Sequence, residues 1–311
     1  MASNGENKGN SLQILIWLFF IFTLLTLSAR FGTKYIVARA FRRDDMWISL
    51  GELVFLFQTI AISIAASNGL GSPLEKLSVE SVNRVLQAQY ASIPLFLLCL
   101  ALVQASLSDF IHQLSPNQTH RCINLVIRTF SGVWVVSATL VSLFQCALPT
   151  PWDYIHGAYC VDSSALWTYV VIGNIVSELG FVFLYVLIFW NIQVSWTVRA
   201  VILAAFSTRL LVVAADIAQL VIYKSTYSKY DPTFSRWLPI LLMQVISVVS
   251  IITACFPYLK PFLESIDLDI VQVEVLDSLD EGQDAQDRDV SGIMVLTEIT
   301  SSSVDCQSSN R

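Results

Sequence analysis

Charged side chains are scarce in this chain of 311 residues, where Asp, Glu, Lys and Arg make up 14%, against about 25% in soluble domains. Histidine occurs only as His112, His120 and His156. They form no H-x-x-x-H pair, which argues against a zinc-hydrolase motif. Hydrophobic residues reach 55%, and the mean hydropathy is +0.62. The composition excludes an ordinary soluble domain and predicts an integral membrane protein, for which we expect no cofactor.

Seven apolar runs are long enough to cross a bilayer, since about 20 helical residues span a hydrocarbon core of about 30 Å. Every backbone amide must be hydrogen-bonded inside lipid, so such runs predict helices. The predicted fold class is all-α, a seven-transmembrane helix bundle. A signal peptide is the alternative for the first run, which is longer than the usual apolar region of such peptides. The runs are 12–29, 46–66, 90–111, 122–147, 165–190, 200–223 and 237–259, of which the third is the weakest because Pro94 and Gln104 interrupt it.

An acidic tail follows the last run. Residues 263–311 hold twelve of the 24 acidic residues but only two of the 18 basic ones. Such a segment buries too little apolar area to offset the ordering of its backbone, so we predict that it is disordered. The chain then divides into a short N-terminus at 1–11, a membrane domain at 12–262 and the tail. The basic residues border apolar runs and form no polyvalent face, so the expected partner is the lipid bilayer and not nucleic acid.

Positive charge is concentrated after the first run, in Arg30, Lys34, Arg39, Arg42 and Arg43. Cytosolic loops collect Lys and Arg, which predicts that this segment and the tail are cytosolic and that the N-terminus is outside. The plasma membrane is the expected location, with a cytosolic signalling partner reached through the tail and inner loops. Asp44 and Asp45 are predicted to cap the second helix. The glycosylation sequon at Asn117 falls in a cytosolic loop and is predicted to be unused.

Two of the six cysteines flank the loop CALPTPWDYIHGAYC between the fourth and fifth runs. In the predicted topology this loop faces the oxidising side, where disulfides persist, so we predict a bridge between Cys146 and Cys160. The loop also carries Trp152, Tyr154 and His156. These side chains are interpreted either as a surface for ligand recognition or as an interfacial belt and lid.

Ionisable side chains within the runs are candidates for function because they are costly in lipid; they are Glu52, Asp109, Arg128, Glu178, Arg209 and Asp216. Glu178 lies about 20 Å from the outer end of helix five, and Arg209 about 14 Å from the inner end of helix six. Both are near the midplane, which predicts a buried ion pair. Asp216, about 10 Å further out on the same face, is expected to line a cavity. Glu52 and Arg128, each about 9 Å inside the inner boundary, are the candidates for a second pair.

These charges have three interpretations. They can be ion bridges that fix helix contacts, a pocket for a ligand or ion that holds Glu178 and Asp216, or groups that carry protons. The sequence leaves all three open.

Four motifs resemble the fungal rhodopsin-domain family over about residues 30–262. They are DDMW at the end of the Arg-rich first loop, C-x-x-P-x-P-W before a second cysteine, IVSELGFVFLYVLIFWNIQ in helix five, and FPYLKPFL after helix seven. The resemblance implies a seven-helix membrane protein, in a family that includes receptor-like members. Where the family usually shows an aspartate and then a proline in helix five, this chain has Glu178 and Tyr185. The family's usual glycine and arginine positions in helix six hold Arg209 and Gln219.

Retinal is not the expected ligand, because its Schiff base needs a lysine buried in the bundle and no lysine lies within a predicted span. The sequence therefore favours a receptor-like sensor of an unknown extracellular ligand over an enzyme. One alternative is a membrane transporter with Glu178, Arg209 and Asp216 along its pathway. The other is a membrane-embedded enzyme that acts on lipophilic substrates with Glu178 or Asp216 as an acid.

Overall fold

The computed structural model describes residues 6–38, 41–73, 75, 77–114, 117–147, 149–153, 159–190, 208–227 and 236–256. Within these ranges the regular elements are helices, which are α1 (Glu6–Thr33), α2 (Arg43–Ser67), α3 (Val79–Leu114), α4 (Gln118–Leu143), α5 (Ser163–Trp190), α6 (Arg209–Tyr227) and α7 (Trp237–Phe256). A π-helical turn at Lys34–Ala38 extends α1. The predicted disordered tail at 263–311 lies outside the described residues, as do Tyr154 and His156.

Six of the described helices, all except α6, are long and apolar enough to cross a membrane. The described part of α6 is 19 residues long, and its predicted start at 200 lies outside the described residues. The all-helical, multi-pass fold is thus confirmed, and a crossing by α6 stays a prediction. The third run was wrongly ranked as weakest, since the most apolar window of α3 has a mean hydropathy of 1.9, above the 1.6 of α4, and the helix continues through Pro94. A proline is tolerated within a membrane helix when neighbouring groups satisfy the freed backbone.

The helices α3 and α7 are central in the bundle. The most apolar window of each is 61% buried, against 22% for α1 and 28% for α4. Among the helices α1 to α6, the most extensive contact is that of α2 with α3. Large apolar side chains on α1 and α4, such as Leu25 and Val133, are exposed, which suits a surface in contact with lipid. Polar side chains of α3, α5 and α6 are meanwhile buried inside.

The loop between α4 and α5 is fixed at two points. The predicted disulfide joins Cys146 to Cys160, and the two residues also form an isolated backbone bridge. The Trp152 indole donates a hydrogen bond of 2.8 Å to Oδ1 of Asn83, and its ring centroid lies 6.4 Å from that of Tyr90. Trp152 therefore attaches the loop to the start of α3.

Replacing Cys146 by serine should lower the free energy of unfolding by about 3 kcal/mol, because the bridge closes a loop of about 15 residues. Thermal unfolding in detergent, followed with and without reductant, measures this. Reductant should destabilise the natural protein and leave the variant unchanged. The matched control is Cys122→Ser, which removes an exposed free thiol. An equal loss in both variants would contradict the prediction.

Asn117 has a structural role at the start of α4. Its side-chain oxygen accepts a hydrogen bond of 3.0 Å from the backbone amide of Thr119, as expected of an N-cap residue. The asparagine of the sequon thus satisfies an amide at the helix terminus, and the absence of a glycan there stays a prediction.

Candidate functional site

Three contacts between α5 and α6 follow one another along the two helices. From the disulfide loop inward they are Trp167 with Tyr223, whose ring centroids are 5.6 Å apart, Asn174 with Asp216 at 2.8 Å, and Glu178 with Arg209 at 3.1 Å. Trp167 precedes Asn174 by seven residues, and Tyr223 follows Asp216 by seven, so the aromatic pair lies about 10 Å beyond the polar pair on the same faces. A shift of one helix along the other would disturb all three contacts together.

The ion pair predicted between Glu178 and Arg209 is present. Nη1 of Arg209 donates to both carboxylate oxygens of Glu178, at 3.1 and 3.3 Å. The Glu178 side chain is 0% exposed and the Arg209 side chain is 1% exposed. Sequential helices bring together the two residues that were predicted to lie near the midplane, as expected. Among the described residues, Nε and Nη2 of Arg209 have no hydrogen-bond partner. The pair is thus buried, and the part of the chain that the structure describes satisfies it only in part.

Gln104 of α3 connects this pair to two further helices. Its amide nitrogen donates to Oδ1 of Asn174 at 3.0 Å and to Oε1 of Glu178 at 3.3 Å. Its amide oxygen accepts a bond of 2.7 Å from the hydroxyl of Ser131 on α4. We call this continuous network across α3, α4, α5 and α6 the polar chain; its members are Ser131, Gln104, Asn174, Glu178, Arg209 and Asp216.

A cavity lies at the disulfide-loop end of the bundle, between α3, α5, α6 and α7. We call it the outer cavity, and its lining includes Gln89, Tyr90, Trp167, Tyr223, Arg236 and Met243. Its volume is about 40 Å³, so a ligand larger than water must displace side chains. The Trp167 and Tyr223 rings both line this cavity and form the first α5–α6 contact, so displacing them would act directly on the α5–α6 interface.

Gln219 lies between the outer cavity and the polar chain. It follows Asp216 by three residues and precedes Tyr223 by four, which places it on the same face of α6. The side chain is 1% exposed, and within the described part of the protein neither atom of its amide head has a hydrogen-bond partner. Buried amides are normally paired. Gln219 therefore has an unpaired amide within the described residues, one turn of α6 from the cavity-lining Tyr223, although it does not itself line the outer cavity.

Asp216 was expected to line a cavity, but it is not among the residues that line the outer cavity. It instead accepts the hydrogen bond from Asn174 and is 1% exposed. Its place on α6, about 10 Å beyond Arg209, keeps it apart from that cation.

Glu52 and Arg128, the candidates for a second ion pair, do not pair with each other. Arg128 bonds to Oδ1 of Asp109 on α3, and Oδ2 of that aspartate accepts from the Trp47 indole at 3.0 Å. Glu52 instead accepts a hydrogen bond of 2.8 Å from the Thr23 hydroxyl on α1. The reason is packing, since α4 lies against α3 and α5 while α2 lies against α1 and α3. Depth along a helix did not reveal which neighbour each side chain faces.

A buried charge cluster formed by Arg30, Lys34, Asp44 and Asp45 was missed. Arg30 is 0% exposed and donates to both carboxylates, at 2.7 and 3.1 Å, and to the Ala254 carbonyl of α7 at 3.1 Å. Lys34 bonds to the same carboxylates at 2.8 and 2.6 Å. Asp45 also has the predicted capping role, through the Arg42 amide. The cluster thus fixes the ends of α1, α2 and α7 together.

Lys34 also corrects the bounds of the first span. The span was predicted to end at 29, but the segment that is long and apolar enough to cross a membrane ends at Ile36, within the π-helical turn. Lys34 therefore lies within it, 6% exposed, at its end and bonded to two aspartates.

A third polar group, also missed, joins α2 to α7. The Gln58 amide donates to Gln244 at 3.1 Å, and the Gln244 amide donates to the Thr59 hydroxyl at 2.7 Å. An amide side chain inside an apolar run is the sequence signal for these residues and for Gln104 and Asn174. These amides carry no charge, so a criterion of ionisable groups inside apolar runs does not detect them.

Metal binding finds no support in the described ranges, where no group of three His, Cys, Asp or Glu residues could hold an ion. The candidate site is therefore the polar chain, which is buried and crosses four helices, together with the small outer cavity, which lies nearer to the disulfide loop.

Comparison with known proteins gives a family and one distant relative. The model of the fungal rhodopsin domain matches residues 29–265. The polyenoic acids biosynthesis gene cluster protein Ba17b of Metarhizium anisopliae is 24% identical over 294 residues, which cover 87% of this chain and 78% of that protein. No solved structure matches the chain.

Proposed function

The chain belongs to the fungal rhodopsin-domain family of membrane proteins, and on that premise we propose that it is a receptor-like sensor of an extracellular ligand other than retinal. The single observation that carries this proposal is the run of three α5–α6 contacts from the outer cavity to the midplane. The proposed location is the plasma membrane, with the N-terminus outside and the tail in the cytosol.

The proposed mechanism begins at the outer cavity. A ligand that enters it has to displace the Trp167 and Tyr223 rings, since the cavity is small. Polar atoms of the ligand would bond to the Gln219 amide, which otherwise lacks a partner among the described residues. Moving Tyr223 would shift α6 and strain the Asn174–Asp216 hydrogen bond, which is the next contact along the two helices. The ligand then favours whichever arrangement of α5 and α6 it binds more tightly.

The polar chain would carry that shift to the rest of the bundle. Gln104 bonds to both α5 partners of α6, Asn174 and Glu178, so a displaced α6 also changes the bonds of α3. Packed helix interfaces switch between discrete arrangements and do not deform continuously, which is what a two-state sensor requires.

The relative from Metarhizium anisopliae indicates a biological context and not an activity. The name of that protein associates it with a biosynthesis gene cluster for polyenoic acids. This is compatible with a sensor of a small lipophilic metabolite, although the name gives that protein no activity.

Replacing Asn174 by leucine should change the labelling of one or more cytosolic proteins near the tail by at least about five-fold. The reason is that the substitution leaves Asp216 without its donor and so biases the position of α6. A biotin ligase fused to the C-terminus of the full chain, expressed in intact fungal cells, measures this by mass spectrometry. Val176→Leu, on the exposed side of the same helix, is the control.

Two results would contradict the proposal. If cytosolic proteins are not labelled at all, the tail is not in the cytosol. If Asn174→Leu reaches the membrane at the natural level and labels the same proteins to the same extent, the polar chain does not couple to the cytosolic face. Removing residues 263–311 separates partners of the tail from partners of the inner loops. Solute uptake or substrate turnover by purified protein in liposomes would instead favour the transporter or the enzyme.

A further inference from the structure

A second cavity opens on the side of the bundle, between α3 and α4. We call it the lateral crevice. Its walls include Ala101 and Ala105 of α3 and Gly132 of α4, whose small side chains leave a volume of about 150 Å³. That is similar to an engineered cavity that admits benzene. Gly132 is exposed on the apolar surface of α4, so the crevice is reached from the bilayer and not from the disulfide-loop end.

The lateral crevice is not wholly apolar. Gln104 and Ser131, which are 2% and 5% exposed, contribute to its lining. Arg128 contributes the only charge among the described lining residues, and its side chain is 41% exposed. One nitrogen of the Arg128 guanidinium bonds to Asp109. Among the described residues this is the one hydrogen bond that the guanidinium makes, so Nε and Nη2 are open to another acceptor.

The position of Arg128 within a membrane helix makes its unpaired N–H donors unfavourable in free energy. It lies ten residues beyond Gln118, about 15 Å along α4, on a helix with a lipid-facing apolar surface. A guanidinium in hydrocarbon is destabilising unless it is paired. Asp109 is already shared with the Trp47 indole. A second carboxylate on the open side of Arg128 would satisfy two parallel N–H donors at once, which is the geometry that guanidinium groups favour.

We propose that the lateral crevice binds a single-chain lipophilic acid from the bilayer, with its carboxylate on Nε and Nη2 of Arg128 and its chain along α4. The small walls accept the first part of one acyl chain, and charge complementarity selects the head group. A two-chain phospholipid is a poorer match to a crevice of this volume. Because Gln104 and Ser131 also belong to the polar chain, the acid would contact that network from the side opposite α6.

The test uses the full chain in nanodiscs of phosphatidylcholine. The probe is palmitic acid that carries a photoreactive diazirine in its chain, and labelled peptides are mapped by mass spectrometry. Labelling should fall on the segments around Ala105 and Gly132, and excess palmitate should suppress it. Hexadecanol and phosphatidic acid with the same diazirine chain are the comparison probes.

Gly132→Leu is the decisive variant. A Cβ placed on Gly132 has no other atom of the described protein within 4 Å, and leucine favours helix more than glycine does, so the variant should fold. It should reduce labelling by at least about ten-fold by filling the crevice. Gly32→Leu on α1, where a Cβ also meets no atom within 4 Å, is the matched control and should label as the natural protein does.

Arg128→Lys tests the head group. It keeps the charge that pairs with Asp109 but loses the planar pair of donors, so labelling by the acid should fall by about three- to ten-fold. Hexadecanol should label the crevice weakly in every variant. The proposal is overturned if Gly132→Leu labels as well as Gly32→Leu, if hexadecanol labels as strongly as the acid, or if phosphatidic acid labels more strongly than the acid.

Discussion

Glu178→Gln should lower the free energy of unfolding by about 3–5 kcal/mol, because it leaves the buried Arg209 cation without its carboxylate. Arg209→Gln should cost a similar amount by isolating Glu178. The double variant should lose much less than the sum, since it removes both charges and allows one glutamine to bond to the other. Thermal or SDS-induced unfolding of purified protein in mixed micelles measures all three.

The double variant is expected to be more stable than the sum of the single losses implies, and the reason is the geometry of the ion pair. Nε and Nη2 of Arg209 have no partner within the described part of the protein, so the ion pair does not recover the full cost of burying its charges. Replacing both members of such a pair by neutral groups is often close to neutral. A charge-swapped variant, Glu178→Arg with Arg209→Glu, should also recover stability relative to either reversal, although Gln104 then has to turn its amide.

The matched control is an exposed pair on α3, Glu80 with Arg84, whose side chains are 75% and 59% exposed. Glu80→Gln should change stability by less than about 0.5 kcal/mol, because solvent screens that pair. If the double variant at 178 and 209 loses the full sum of the single losses, the two residues do not stabilise each other. The ion-bridge interpretation of the site would then be wrong.

Arg30→Met should be destabilising by about 3–5 kcal/mol, because it removes one of the two cations from a cluster with two buried aspartates. It also removes the donor to the Ala254 carbonyl, through which the cluster holds the end of α7. Hydrogen exchange should accordingly increase at the end of α7 more than at its start. Stability in micelles and exchange followed by mass spectrometry measure the two effects.

Arg43→Met is the control for this prediction. Both variants remove one positive charge from the same segment, so their effects on membrane orientation should match. Arg43 is exposed, and its loss should change stability by less than about 0.5 kcal/mol. Equal stability of the two variants would mean that the arginines of this segment direct orientation alone.

Several features followed from the sequence because they depend on local composition or on helix geometry. Apolar runs predicted the helices, and the spacing of Cys146 and Cys160 around one loop predicted their bridge. Residue counts placed Glu178 and Arg209 at similar depths on consecutive helices, which predicted their pair. Each of these inferences needs only distance along the chain and the rise of 1.5 Å per residue.

Other features depend on how the helices are rotated and which of them are neighbours. Arg128 has Asp109 as its partner and not Glu52, because α4 packs against α3. Gln104 and Asn174 act as connectors only because their faces of α3 and α5 meet.

The sequence by itself determined that the chain is helical, lies in a membrane, contains buried charge and belongs with the family whose motifs it carries. Hydropathy and helix rise are properties of the chain alone, and they hold however the helices pack. The tertiary structure decided which charges meet, which amides connect helices, and where the outer cavity and lateral crevice open. Those outcomes are set by helix rotation and by the close packing of side chains from distant segments, neither of which any single segment specifies.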